Sequence, residues 1–138
     1  MTLHINTADR AEIIIILSRA SRSGTKIVAR KKFKAARQQA EKLLPAIDRL
    51  LRAQKIKLSA LKKIVVADRG DSFTALRIGV ITANALAYAL KIPVVGESRV
   101  LAKDLKKIKK FARYSVVEPL YNHEPNIGKA KKIPGSSE

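Results

Sequence analysis

The chain has no cysteine and no tryptophan. The first absence excludes a disulfide framework and a thiolate metal site, and two histidines, His4 and His123, are too few to make a zinc site alone. Aromatic residues are scarce as well, three Phe and three Tyr. They are not interleaved with the basic runs as single-strand stacking platforms usually are, so sequence-specific RNA reading is not expected. Acidic residues number only 11 against 29 Lys and Arg. Long apolar runs are missing too: Ile13 to Leu17 is far short of the roughly 20 residues a membrane span requires. No signal peptide precedes it, and the chain is expected in the cytosol with no membrane.

What is present is a chain of 138 residues, 46% hydrophobic, enough to bury the core of one domain. The formal net charge is +18, which favours polyanions on electrostatics alone. The bases concentrate in Arg30 to Arg37, Lys103 to Arg113 and Lys129 to Lys132. Any one of these reads as a solvated face. Three in one small domain point to RNA phosphates bound by shape and charge, with Lys31, Lys32, Lys34, Arg37, Lys106, Lys107, Lys109 and Lys110 as candidates.

Periodicity orders the chain. Thr2 to Asn6, Glu12 to Ser18 and Lys26 to about Arg30 read as three antiparallel strands, with a polar loop over Arg19 to Gly24. From Lys31 to about Lys55, Phe33, Ala36, Ala40, Leu43, Ile47 and Leu50 fall at helical spacing, and Pro45 predicts a kink or restart. Leu58 to Leu61 is a connecting turn. The β-branched run Ile64 to Ala67 is a buried strand that ends at Asp68-Arg69-Gly70, and a Ser able to cap a helix follows. That helix runs from Ser72 to about Lys91, and Ile92-Pro93-Val94-Val95-Gly96 is the next strand. Beyond it, Val100 to Phe111 reads as a basic amphipathic helix packed on the sheet, Tyr114 to Val117 as a strand or extended segment, and the rest as an irregular tail. The domain reading is a lobe over residues 1–117 and a basic tail over 118–138.

The helix after Ser72 carries Ala75, Gly79, Ala83 and Ala87 every four residues, a stripe of small side chains, with bulk from Phe73, Leu76, Val80, Leu86 and Leu90. A helix apolar nearly all round is buried on both sides. Either it is a central core helix, or its second face meets another helix, with Gly79 and Ala83 permitting close approach.

Gly70-Asp71-Ser72-Phe73-Thr74-Ala75-Leu76-Arg77-Ile78-Gly79, followed by Asn84-Ala85-Leu86-Ala87 and Ile92 to Gly96, resembles the TsaB (YeaZ) family of tRNA threonylcarbamoyladenosine biosynthesis. The family pattern, Gly-Pro-Gly-Ser-Phe-Thr-Gly-Leu-Arg-Ile-Gly, is departed from at Asp71 and Ala75. The motif turn is Gly70, Asp71, Ser72, Phe73, Thr74 and Arg77. The first strand, the helix around Leu43 to Leu51, and the end segment Glu118 to Tyr121 with Pro125 to Ile127 are similar too. Family members are longer, two-lobed actin-like proteins. The resemblance therefore implies an α/β mixed sheet, a single RNase H-like, actin-like (ASKHA) lobe lacking most of the second lobe.

Catalytic residues are expected to be none. The first strand carries Asn6 where RNase H-like nucleases and actin-like ATPases need an acid, although Asp9, Asp68 and Asp71 lie nearby. Ser72 lacks a placed histidine and reads as a helix cap, and Asp71 as satisfying the helix dipole. No cofactor and no metal are expected. The resemblance implies a non-catalytic scaffold that pairs with a TsaD-like enzyme, and with a TsaE-like protein, through its helices. Leu43, Ile47, Leu50, Ala75, Gly79, Ala83 and Ala87 are the candidate interface, used for a homodimer when the partner is absent. The alternative is a general RNA-binding or ribosome-associated module that reuses the lobe.

Overall fold

The computed structural model describes residues 1–70, 72–99 and 116–121. Alternating apolar residues build β1 (Thr2–Asn6) and β2 (Glu12–Ser21). Leu3, Ile5, Ile13, Ile15 and Leu17 all point to one face, and none is more than 1% exposed. The strands run antiparallel with Leu3 opposite Leu17 and Ile5 opposite Ile15. β3 (Gly24–Lys34) returns antiparallel along the outside of β2. Then come α1 (Gln39–Ala53), a 3₁₀ turn over Leu58–Ala60, and β4 (Lys63–Val66). The short β5 (Arg69–Gly70), α2 (Phe73–Leu90), β6 (Val94–Gly96) and the short β7 (Leu120–Tyr121) complete the described chain.

The main sheet has the order β3-β2-β1-β4-β6, with β4 parallel to β1 and β6 parallel to β4. It is the mixed sheet expected from the sequence. α1 and α2 touch each other, and Leu43, Ile47, Val80, Ala83 and Ala87 enter one core with Leu3, Ile5, Ile64 and Val66. The helices therefore lie side by side on one face. By length and composition α2 could cross a bilayer. Here Ala75, Leu76, Gly79, Val80, Ala83 and Ala87 pack inward instead.

Three sequence expectations are corrected. The polar loop over Arg19 to Gly24 is mostly strand: Ser21 pairs with Gly24 and only Arg22 and Ser23 turn. Gly24 takes φ 124°, which favours glycine. The helix expected from Lys31 begins at Gln39, because Lys31 to Lys34 extend β3, with Phe33 opposite Ile13. Phe33 and Ala36 fit helical spacing, but the long apolar β2 offers a backbone ladder that local periodicity does not reveal. Third, α1 runs through Pro45 without a restart. Pro45 and Glu41, whose carbonyl loses its helical partner, are both exposed, so water can satisfy the carbonyl.

Leu120 and Tyr121, assigned by sequence to the tail, pair in parallel with Arg69 and Gly70. Val116 and Val117 belong to no strand. The basic helix over Val100 to Phe111, Asp71, His123, Lys106, Lys107, Lys109, Lys110 and the tail beyond Tyr121 lie outside the described residues.

Candidate functional site

The carboxyl ends of β1, β4 and β6 converge, the place where open parallel sheets bind ligands. Here the polar side chains serve the backbone. Asn6 Oδ1 accepts from the Ala8 amide at 2.9 Å. The buried Thr7 hydroxyl donates to the Ala75 carbonyl in the first turn of α2 at 2.6 Å. Asp68, only 3% exposed, accepts from the Ser98 amide at 3.0 Å and the Ser98 hydroxyl at 2.6 Å, tying the end of β4 to the end of β6. Gly96 permits that approach, since a Cβ there would collide with the Asp68 carboxylate. Asp9 Oδ1 accepts from the Ala11 amide at 2.7 Å. Among the described residues no three His, Cys, Asp or Glu side chains gather where they could hold a metal.

The motif turn starts α2. Gly70 lies on β5, Ser72 is the N-cap and accepts from the Ala75 amide at 3.4 Å, and Arg77 lies 5.5 Å from the Phe73 ring centre. Thr74 is exposed beside them. Asn84, two turns further on, has a role that sequence reading missed. Its side-chain amide donates to the Val117 carbonyl and accepts from the Val117 amide, both at 2.9 Å, so it clamps the segment before β7 to α2.

The seven residues proposed from the sequence as a partner interface do not form a surface. Leu43, Ile47, Leu50, Ala75, Ala83 and Ala87 are buried within the lobe, Leu50 being the most open at 8% exposed. Gly79 is buried against Thr7, and a Cβ there would strike Thr7 Oγ1. The small stripe brings α2 close to its own sheet. The outward side of α2 carries Ile81, Ala85, Tyr88 and Ala89 at three- and four-residue spacing, with Ile81 59% and Tyr88 56% exposed. Leu44 and Leu58 are 53% and 42% exposed at a groove of about 530 Å³ between α1, the 3₁₀ turn and Leu86 of α2. Asp48, Arg52 and Lys57 also line this groove.

Of the basic candidates that are described, Lys31, Lys32 and Lys34 lie on an edge strand rather than a helix. Register places Arg30, Lys32 and Lys34 opposite Ile16, Ile14 and Glu12, on the face away from α1 and α2. Lys31 is opposite Ile15 on the helical face, its ammonium 5.9 Å from the Phe33 ring centre. Lys32 pairs with Glu12 at 3.2 Å, and Arg37 sits in the loop after β3 with φ 61°. On the same face, away from the helices, His4 Nε2 is 2.9 Å from Ser18 Oγ. Burial holds the His4 pKa below its ordinary 6.5.

This lobe recurs in solved structures. YeaZ from Pseudomonas aeruginosa matches 69% of the chain with 43% of its own, at TM-score 0.58 and 24% identity. A second structure, described as an uncharacterized protein with similarity to peptidase YEAZ from the same organism, matches 69% with 41% of its own, at TM-score 0.56 and 26% identity. The fold is thus a single YeaZ-like α/β lobe. The model of the TsaD family, described as tRNA N6-adenosine threonylcarbamoyltransferase, matches residues 27–106, more than half the chain, and the chain belongs to that family.

Curated relatives carry the same description. The protein from Geotalea daltonii is 40% identical over 81 residues, which are 56% of this chain and 24% of that protein. The protein from Protochlamydia amoebophila is 38% identical over 68 residues, 49% of this chain and 20% of that one. The chain spans a quarter or less of these curated relatives, and about two fifths of the solved structures.

Proposed function

We propose that this chain is a non-catalytic docking subunit in tRNA threonylcarbamoyladenosine modification, pairing with a TsaD-like enzyme through the outer face of α1 and α2. One observation carries the reading: Leu44 and Leu58 expose apolar surface at a groove lined also by Ile47, Leu51, Ile56 and Leu86, and Ile81 and Tyr88 expose more on the outward side of α2. Clustered apolar exposure of this kind marks interaction sites rather than ordinary solvent-facing helix. The use of Asn6, Thr7 and Asp68 as backbone ties supports placing the chemistry in the partner, with a TsaE-like protein joining the assembly through that partner. In isolation the same face pairs two copies of the chain.

The substitution that tests this is Ile81→Glu, at a position 59% exposed; Ala83→Glu would instead carry a charge into the core, since Ala83 is 0% exposed. Ile81→Glu should keep folding stability within about 0.5 kcal/mol, as surface changes do. Capture by the purified TsaD homologue should fall at least about tenfold, the scale of losing one central apolar contact. Reconstituted modification should need the homologue's active site. Unchanged capture, or turnover by this chain alone that is lost in Asp68→Asn, would overturn the reading. The rival reading, a general RNA-binding module, is favoured by the net charge of +18 and predicts tRNA binding with no capture by the TsaD homologue.

A further inference from the structure

The β2–β3 hairpin is longer than the sheet it belongs to. β1 accompanies β2 only as far as Ser18, which lies opposite Thr2. The rungs Arg19 with Lys26, Ala20 with Thr25 and Ser21 with Gly24 continue past it. At about 3.3 Å per residue, three rungs and the Arg22-Ser23 turn project roughly 10 Å beyond the body. Every residue from Arg19 to Ile27 is exposed.

Past Glu12 at its base, the charge of this arm is of one sign. From Ile13 to Ala40 there are eight Lys and Arg and no Asp or Glu. Arg19 and Lys26 face each other on the projecting rungs and Arg22 occupies the tip, while Arg30, Lys32 and Lys34 line the face turned away from the helices. Among the described residues, Lys32 alone of these six makes an ion pair, with Glu12. Bases on an edge strand can serve simply to block edge-to-edge aggregation. That explains Arg30, Lys32 and Lys34 but not three further cations beyond the end of the sheet. The opposite edge, β6 (Val94–Gly96), carries no charge at all.

We propose that the β2–β3 hairpin is an RNA-binding arm that grips the phosphate backbone of folded tRNA with Arg19, Arg22 and Lys26 at its projecting end and Arg30, Lys32 and Lys34 along its outer face. The choice of tRNA as ligand rests on the chain's place in tRNA modification. The arm's chemistry fits a phosphate backbone: five of the six cations are left without an ion pair among the described residues, and such contacts position an RNA without reading its bases. Residues 12–34 include one aromatic, Phe33, which faces the helical side at the base of the arm. Base stacking therefore has no platform at the tip, and a bilayer has no aromatic anchor there.

The test is a salt titration of unmodified tRNA binding to the full chain. Each lost phosphate contact should lower the log–log salt slope by about 0.7 to 0.9. The triple variant Arg19→Ala, Arg22→Ala, Lys26→Ala should therefore lose about 2 to 3 in slope and at least tenfold in affinity near 0.1 M salt. A control with equal charge loss elsewhere, Lys42→Ala, Arg49→Ala, Lys62→Ala, should retain most of both. An unchanged slope in the arm variant overturns the proposal, as does an equal loss in the control. Loss of binding to phosphatidylglycerol vesicles with tRNA binding intact would assign the arm to a membrane and overturn it too. No partner enters the titration, so its failure leaves the docking reading standing, and a failure of Ile81→Glu to disturb partner capture leaves the arm standing.

Discussion

Gly79→Ala is a small change with a large local consequence. The added Cβ would run into Thr7 Oγ1 and lie 3.2 Å from Thr7 Cβ and Cγ2, at the point where Thr7 donates its buried hydroxyl to the Ala75 carbonyl. Overpacking of this kind costs about 1–3 kcal/mol, while replacing Gly by Ala within a helix returns about 0.5–1 kcal/mol. The net cost is about 0–2.5 kcal/mol, and it rises by about 1–3 kcal/mol if the Thr7 hydroxyl is left buried without a partner. Thr7→Ala alone should lose about 0.5–1.5 kcal/mol for the hydrogen bond and roughly 0.8 kcal/mol for the methyl.

With Thr7→Ala in place the collision is gone, so Gly79→Ala should then stabilise by about 0.5–1 kcal/mol. Thr7→Val keeps the bulk without the hydroxyl and should not rescue, which separates steric clash from hydrogen bonding. Urea unfolding followed by far-UV circular dichroism, with m held constant, measures all the corners of this cycle. Additivity of Gly79→Ala and Thr7→Ala within about 0.5 kcal/mol would refute the reasoning, since residues in contact should couple by more than that.

Two further outcomes are expected. Asn84→Ala removes both hydrogen bonds to Val117, so the amides of Val117, Glu118, Leu120 and Tyr121 should lose hydrogen-exchange protection while those of β1 and β4 keep theirs; protection unchanged at these four would show that the segment is held otherwise. His4, its pKa lowered by burial, binds a proton less readily folded than unfolded. Stability should therefore fall as pH drops through the window just below 6.5 and level off above it, and His4→Gln should flatten that dependence. An equally steep profile in the variant would place the titrating group elsewhere.

The sequence alone determined the order of most elements and the character of the strand-turn-helix around Gly70. Alternation in Leu3 to Ile5 and Ile13 to Leu17 dictates strands with one buried face, because a side-chain period of two leaves no other arrangement. Ser72 before a run without charged residues until Arg77 marks a helix start in the chain's own local chemistry. The YeaZ-like character of the lobe, too, was legible from the residues around that turn.

Tertiary structure decided what local periodicity cannot. Lys31 to Lys34 satisfy a helical pattern and a strand pattern alike, and only the length of β2 settles them as edge strand. α2 is apolar nearly all round, so hydropathy does not distinguish its inward face; the reach of Thr7 toward Gly79 and Ala75 does. That contact turned the small-residue stripe into core and left Ile81 and Tyr88 outside. The ties from Asn84 to Val117 and from Asp68 to Ser98 join residues 33 and 30 positions apart, and separation of that kind leaves no trace in spacing along the chain. The projecting hairpin arises because β1 is shorter than β2 in space, a difference that emerges only when the strands are laid side by side.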